Sequence, residues 1–510
     1  MLHYGAMTRP GAQRTARLAL LLSLLFASLA ARGGDRIFHR PLVEDAYYYF
    51  QIARHAVAGH GITADGEHLT NGFQPLFFGV CFGAFKVAPD DTWAIRLIIL
   101  FLALVQAGSA LLFGRFAAKA FGEREGATEW VAALTYAGSM FLFWQHQNGL
   151  ETGLVLLLLL AVGLAFARTD PAQPRSALAL GVLCGLLVLA RIDTGILVVL
   201  LAGSLLLARG AGSLLNRVLT SGAVGVLSTL VSLPWWLYNV VYFGSFVPTS
   251  GRAQQAFALE PTRVQAAVHA VAMAASPFIY PFGAPSWAMA AAVLVVPVLA
   301  VLVLASGAGR AWRGGLPHGE PARWARRYIQ LLLVFGLLLA VWYCASSWAA
   351  HFYRRYVAAL SIPGALLLSA AVLVLRERIR WGAKGLPFLL IAPGLGLLLL
   401  MWFAPERIVR SGFFNQLDLV RAWVPEGERV AAFQSGTLGF FQPAVVNLDG
   451  KVNAQALAHR GRMATYLEAQ HVQWLCDVPS MFIFGFGATP EALGWKRVAS
   501  AGDFTLYRRF

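Results

Sequence analysis

The chain has 510 residues, of which 58% are hydrophobic and only 13% charged, with a formal net charge of +16. A soluble domain carries about 25% charged residues, so a water-soluble globular protein is excluded. Nucleic-acid binding is not the reading of the basic excess either. The arginines gather in short segments between long apolar runs, as in the cytoplasmic loops of a membrane protein.

The first apolar run, 16–31, follows Arg9, Arg14 and Arg17. Ala27-Ser28-Leu29-Ala30 resembles a weak cleavage site, but the many apolar runs that follow favour an uncleaved first helix. A short basic N-terminus is expected in the cytoplasm, so this helix exits near Gly33 into a polar loop over 35–71. The segment 73–85 is apolar but short. It is read as a re-entrant or surface helix, because a full span there would put Arg115, Lys119 and Arg124 outside. Further spans are predicted over 94–113, 129–144, 152–167, 176–190, 194–208, 218–241, 287–305, 328–346, 356–375 and 386–403. That makes about eleven in all. Their alternation collects Arg168, Arg175, Arg209 and Arg217, then Arg310, Arg313, Arg323, Arg326 and Arg327, then Arg376, Arg378, Arg380 and Lys384 on the inside.

From Ala404 charge returns and apolar runs shorten. Strands are predicted over 429–433, 444–448, 472–475, 481–484 and 505–509, with a helix over 453–470. The expected architecture is an all-α polytopic membrane bundle over 1–403, followed by a small α/β domain over 404–510 on the outside. The four cysteines have no CxxC or Cys/His spacing, so neither a disulfide framework nor a structural zinc site is expected.

Chemistry is expected in the outer loops. Glu44 and Asp45 stand together beyond the first helix, followed by Tyr47, Tyr48 and Tyr49. A carboxylate in a partly desolvated cleft can serve as a base; the plainer reading is a helix N-terminus favouring acidic residues. Tyr47, Phe50 and Arg54 share a helical face that suits a helix lying on the bilayer. Thr70-Asn71-Gly72-Phe73-Gln74-Pro75 reads as a turn. Glu151 begins a helix at the membrane edge, as a first-turn acid or as a second acid facing the same cavity. Arg191 and Asp193 read as a local ion pair. Arg252, Arg354 and Arg355 lie outside, against the positive-inside bias, and phosphate is one partner that would justify them. Lipid headgroups or the loop acids are the other. Walker A, HExxH and GxSxG motifs are absent, and Gly436-Thr437-Leu438-Gly439 is no dinucleotide fingerprint.

Several of these segments resemble the polyprenyl-phosphate-sugar-dependent membrane glycosyltransferases of the GT-C fold, within the bacterial group similar to glycosyltransferase family 39. The resemblance rests on Glu44-Asp45-Ala46-Tyr47-Tyr48-Tyr49, Gly59-His60-Gly61, Thr70 to Leu76, Asn148-Gly149-Leu150-Glu151-Thr152, Phe243 to Thr249 and Arg354-Arg355-Tyr356. Val446-Asn447-Leu448-Asp449-Gly450 in the tail is also similar to the group. It implies an inverting transferase of the bacterial inner membrane, with its N-terminus cytoplasmic and its C-terminal domain periplasmic. Asp45 would be the base and Glu44 its neighbour. Arg252, Arg354 and Arg355 would hold the lipid phosphate, and Tyr47, Arg54, His60, Asn71 and Gln74 would line the substrate cavity. Some relatives bind a divalent metal through a second acidic motif. Here Glu151-Thr152-Gly153 lacks the second carboxylate, which argues against a metal. The implied partners are membrane lipid, a polyprenyl-phosphate sugar and an acceptor that the residues do not name. The competing readings are a transporter or flippase for a lipid-linked or anionic substrate, and a non-catalytic assembly protein. Transporters place ionisable residues near mid-membrane, whereas these lie at the outer edge.

Overall fold

The computed structural model describes residues 9–121, 126–208, 210–276, 320–379 and 386–509. The span expected at 287–305 lies outside the described residues. The N-terminal part is helical: α1 (Arg9–Ala27), α2 (Ala46–Val57), α3 (Pro75–Val87), α4 (Asp91–Phe121), α5 (Gly126–Gly138), α6 (Met140–Gln147), α7 (Thr152–Phe166), α8 (Leu178–Ala190), α9 (Gly195–Leu206) and α10 (Leu214–Phe243). After these come α11 (Thr249–Ala253), α12 (Pro261–Ala275), α13 (Glu320–Ser346), α14 (Ser361–Ile379) and α15 (Leu386–Phe403). Four described helices are long and apolar enough to cross a membrane, or five if the bent pair α6–α7 is one span. Other apolar helices, among them α3, α9 and the 174–190 segment, have 10–17 residues.

Small residues set the helix crossings. Gly181 and Gly185 of α8 leave room for Leu227 and Val231 of α10, where an added Cβ would collide with both. The helix expected over 129–144 is broken. A Cβ on Gly138 would overlap the Leu390 carbonyl of α15, and Ser139 then restarts the chain as the N-cap of α6, accepting from Leu142 N. The axes of α6 and α7 meet at 112°. Glu151 sits at that elbow. Gly149, at φ +80°, turns the loop where a side chain would strike Ala46 and Leu42.

The C-terminal domain carries α16 (Phe413–Trp423), β1 (Val430–Ala432), α17 (Gly436–Phe441), β2 (Val445–Asn447), α18 (Ala454–Ala458), α19 (Met463–Ala469), β3 (Trp474–Asp477), α20 (Pro479–Phe486), β4 (Lys496–Ala501) and β5 (Phe504–Arg508). The sheet order is β2-β1-β3-β5-β4, with β2, β1 and β3 parallel and β3, β5 and β4 antiparallel. Two local readings are corrected. The segment expected as a strand over 481–484 is α20, which Pro479 opens and Gly487 at φ 74° closes. The helix expected over 453–470 is split into α18 and α19, with Gly461 between them at φ 88°.

The tail is not a separate bead. A Cβ on Gly436 would overlap Glu44, one on Gly439 would press on the Gln51 amide, and one on Gly72 would overlap the Lys451 carbonyl. This packing corrects the reading of α2 as a helix on the bilayer surface. Residues Ala46 to Ala53 are all buried, and α17 of the tail covers them. The aromatic face that suggested lipid contact meets Phe414, Phe440 and Phe441 instead.

Candidate functional site

Glu44 and Asp45 lie just ahead of α2, pinned between two chain segments. Val43 N donates to the Asn148 carbonyl at 3.1 Å, and Gly436 N donates to Glu44 Oε1. Asp45 Oδ2 is 3.4 Å from Arg355 Nη1, and its Oδ1 is 3.5 Å from Lys451 Nζ. Lys451 also lies 3.2 Å from Asp449 Oδ2. Arg355 is braced from behind: Arg191 Nη1 donates to its carbonyl at 2.8 Å, and its guanidinium stacks over Phe352 and Tyr356. The Nε of Arg355 is buried without a hydrogen-bond partner.

These contacts split the two adjacent acids. Burial, then the neighbouring Asp45, pushes the Glu44 carboxyl well above its usual range, so Glu44 holds a proton more readily than a free glutamate. Burial also works against an ionised Asp45, but Lys451, Arg355 and a hydrogen bond from Glu44 outweigh it and hold Asp45 below its usual range. Burial and the Lys451 charge push His351, beside this group, down to about 4, so its imidazole is neutral.

Asp45, Arg355 and Lys451 line two cavities at once. The first, about 380 Å³, is also lined by Tyr49, Gln74, Glu151, Arg191 and Asp193. Its outer walls include Ile196, Phe246 and Trp342, all exposed apolar side chains. Tyr49 OH donates to Glu151 Oε2 at 3.1 Å and accepts from Gln74 N at 3.0 Å, which ties both acidic loops to one wall. The second cavity, about 270 Å³, lies between Trp144, His351 and Arg354.

The residues expected from sequence fall into groups. Asp45, Glu44, Arg355 and Arg354 come together around the second cavity, and Glu151 and Gln74 join Asp45 and Arg355 in the first. Asn71 stands behind the site. Its Oδ1 accepts from Thr249 N and Oγ1 at 2.9 and 2.8 Å, its Nδ2 donates to Asn239, and Thr249 Oγ1 reaches the Lys451 carbonyl at 2.9 Å. Tyr47 turns away and donates to the Phe38 carbonyl. Arg54 pairs with Asp91 at 2.9 Å and donates to the Phe440 carbonyl. His60 is exposed beyond α2, and Arg252 is exposed on α11. Lys451 and Asp449 are the residues that sequence reasoning missed as site members. The one signal was the Asn447-to-Gly450 segment, whose resemblance carried no role. Among the described residues, no group of three or more His, Cys, Asp or Glu side chains could hold a metal ion.

No protein-family model matches the chain, and no curated protein matches it. Solved structures do. ArnT from Cupriavidus metallidurans in the apo state aligns with a TM-score of 0.57 at 12% identity, over 97% of this chain and 98% of that one. The same protein bound to undecaprenyl phosphate aligns at 0.55 and 13%, over 98% of each chain. The chain has the GT-C fold. The archaeal oligosaccharyltransferase AglB from Archaeoglobus fulgidus, in complex with an inhibitory peptide and a dolichol-phosphate, aligns at 0.51 and 12%, over 99% of this chain and 75% of that one. The three alignments cover 97–99% of this chain, so the tail falls within them.

Proposed function

We propose that this GT-C chain is an inverting glycosyltransferase, moving a hexose or pentose from a polyprenyl-phosphate donor to an acceptor hydroxyl at the outer face of the membrane. The observation that carries this reading is Asp45 held between Arg355 and Lys451 on the walls of two cavities. The acceptor hydroxyl gives its proton to Asp45 as its oxygen attacks the anomeric carbon. The new C–O bond forms, the bond from that carbon to the phosphate oxygen breaks, and the electron pair leaves with polyprenyl phosphate. Arg355 and Lys451, which line the cavity beside Asp45, oppose the charge that grows on the leaving phosphate. As the phosphate draws on both cations, it also relieves the pull that keeps Asp45 a weak base.

The first cavity suits the donor. It joins this charged end to the exposed apolar side chains Ile196, Phe246 and Trp342, which fit a substrate with one end in lipid. Undecaprenyl phosphate in ArnT and dolichol-phosphate in AglB are compatible precedents on the same fold. The proposal includes about eleven spans, a cytoplasmic N-terminus and a periplasmic tail. Glu44 positions Asp45 through its retained proton, Glu151 orders the cavity wall, and Arg354 contributes from the second cavity.

The test is release of polyprenyl phosphate by the purified protein in lipid, supplied with polyprenyl-phosphate hexoses and pentoses and a cell-envelope extract. Wild type should release it, and folded Asp45→Asn should not. Equal release by both would remove Asp45 as the base, and consumption of no donor would remove the transferase.

A further inference from the structure

A third cavity, about 730 Å³, lies between the end of α9 and the start of α13. It is far from Asp45. Ser346 at the end of α13 lines the cavity beside Asp45, and Arg323 lies about 35 Å back along the same helix at 1.5 Å per residue. A bilayer core is about 30 Å thick, so this cavity opens at the opposite membrane face. Arg323, Arg326 and Arg327 all line it, and among the described residues no Asp or Glu does. None of the three arginines makes an ion pair with a carboxylate among the described residues. Arg327 is held by uncharged partners: its Nε donates to Ser204 Oγ at 3.2 Å and its Nη1 to Gln330 Oε1 at 3.4 Å. Arg323 stands three and four residues before the other two, so like charges share one helix face and repel.

The same face turns apolar at bilayer depth. After Gln330 it continues at helical spacing through Leu333, Leu337 and Val341, all exposed. From Arg327 to Leu337 is about 15 Å along the helix, half the thickness of the hydrocarbon core. We propose that this cavity binds the phosphate headgroup of an anionic phospholipid in the leaflet opposite the Asp45 site, with its acyl chains along Leu333, Leu337 and Val341. Guanidinium forks match phosphate oxygens, and a basic pocket between membrane helices is a fitting seat for an anionic headgroup. A zwitterionic lipid would bring its own cation toward three arginines. A free anion would make no use of the apolar stripe. The inference does not depend on the transferase reading.

The test is native mass spectrometry of the intact protein in detergent, titrated with phosphatidylglycerol, phosphatidylcholine, polyprenyl phosphate or inorganic phosphate. Phosphatidylglycerol should be retained and phosphatidylcholine should not. Arg323→Gln, Arg326→Gln and Arg327→Gln should each weaken that binding about fivefold, and the triple variant about a hundredfold. Removing two other arginines of the same membrane face, by Arg168→Gln with Arg175→Gln, should leave it unchanged. Thermal unfolding reports whether each variant is folded; if the triple variant is not, the single variants carry the test. Equal retention of the two phospholipids, binding unchanged in the folded arginine variants, or an equal loss in the Arg168/Arg175 variant would overturn the proposal. So would displacement of phosphatidylglycerol by equimolar inorganic phosphate, which marks a free-anion site, or preferential retention of polyprenyl phosphate, which marks a carrier site.

Discussion

Replacing Lys451 with methionine keeps the side-chain length and removes one of the two cations that face Asp45. At 3.5 Å, and at an effective dielectric of about 20, one such pair interacts by about 5 kcal/mol. The Lys451 and Asp45 side chains are 14% and 13% exposed, so solvent screens them weakly. Two consequences differ in kind. The leaving phosphate loses one of two opposing charges, an effect of about 10²–10³ in turnover when a single preorganised donor is removed. The resting Asp45 loses the larger of the two cationic pulls that offset its burial, so its pKa rises. A base must be deprotonated to act, so the acid limb of the pH–rate profile moves to higher pH. Polyprenyl phosphate release, followed across pH in nanodiscs, measures both. Lys451→Arg keeps the charge and should recover part of the turnover and most of the pH profile. Thermal unfolding of the same samples separates these effects from misfolding, since Asp449 also loses its partner at 3.2 Å. Turnover close to wild type with an unmoved acid limb would show that Lys451 neither opposes the phosphate nor biases Asp45.

Two further perturbations probe the scaffold. Asn71→Ala leaves Thr249 N and Asn239 Oδ1 without their partner, at about 1–3 kcal/mol for each buried group; a lower unfolding temperature is expected, and an unchanged one would show that Asn71 does not brace the Thr249–Lys451 link. Asp477, the buried last residue of β3, accepts from Phe433 N, Gln434 N and Val478 N at 2.8, 2.8 and 2.7 Å, yet burial pushes its carboxyl up to about 7. A folded pKa above the unfolded one favours the fold most below about pH 4, and that advantage is lost as pH rises through about 7. Amide exchange of the 430–434 segment in the intact protein should therefore speed up from pH 5 to 8 beyond the intrinsic rate, and a flat protection factor would contradict it.

The membrane bundle was legible because its signals are local. Apolar runs mark its helices without reference to any distant segment. The acid pair was legible for the same reason, being adjacent in sequence at the edge of a helix. What escaped depends on distant packing. The break at Ser139 needs α15 to pass against Gly138, and nothing in the 129–144 segment announces that neighbour. The aromatic face of α2 was read as meeting lipid because hydrophobicity does not say whether lipid or protein covers it; the cover is α17, almost the whole chain away. Lys451 is the plainest case. A lone lysine after an Asp-Gly turn has no catalytic signature, and it reaches Asp45 only because Gly72 and Gly436 let the tail approach backbone to backbone.

That docking also explains which of the two acids carries the charge. Two carboxylates side by side in a buried site do not both ionise without cost, so their surroundings must choose. Arg355 is supplied by the membrane domain and Lys451 by the tail, and both ion pairs go to Asp45. Glu44 receives a backbone N–H from Gly436 and is enclosed by the same tail, which removes water without supplying as much opposing charge. The tail therefore acts on the pair twice, stabilising the anion at Asp45 and disfavouring it at Glu44. If it were undocked, Glu44 would regain water and Asp45 would lose Lys451, and the difference between the two acids would shrink from both sides. On this view the C-terminal domain is part of the machinery that prepares the base, and a substitution that holds it off the membrane domain, such as Gly72→Val, should abolish polyprenyl phosphate release although it touches no ionisable group.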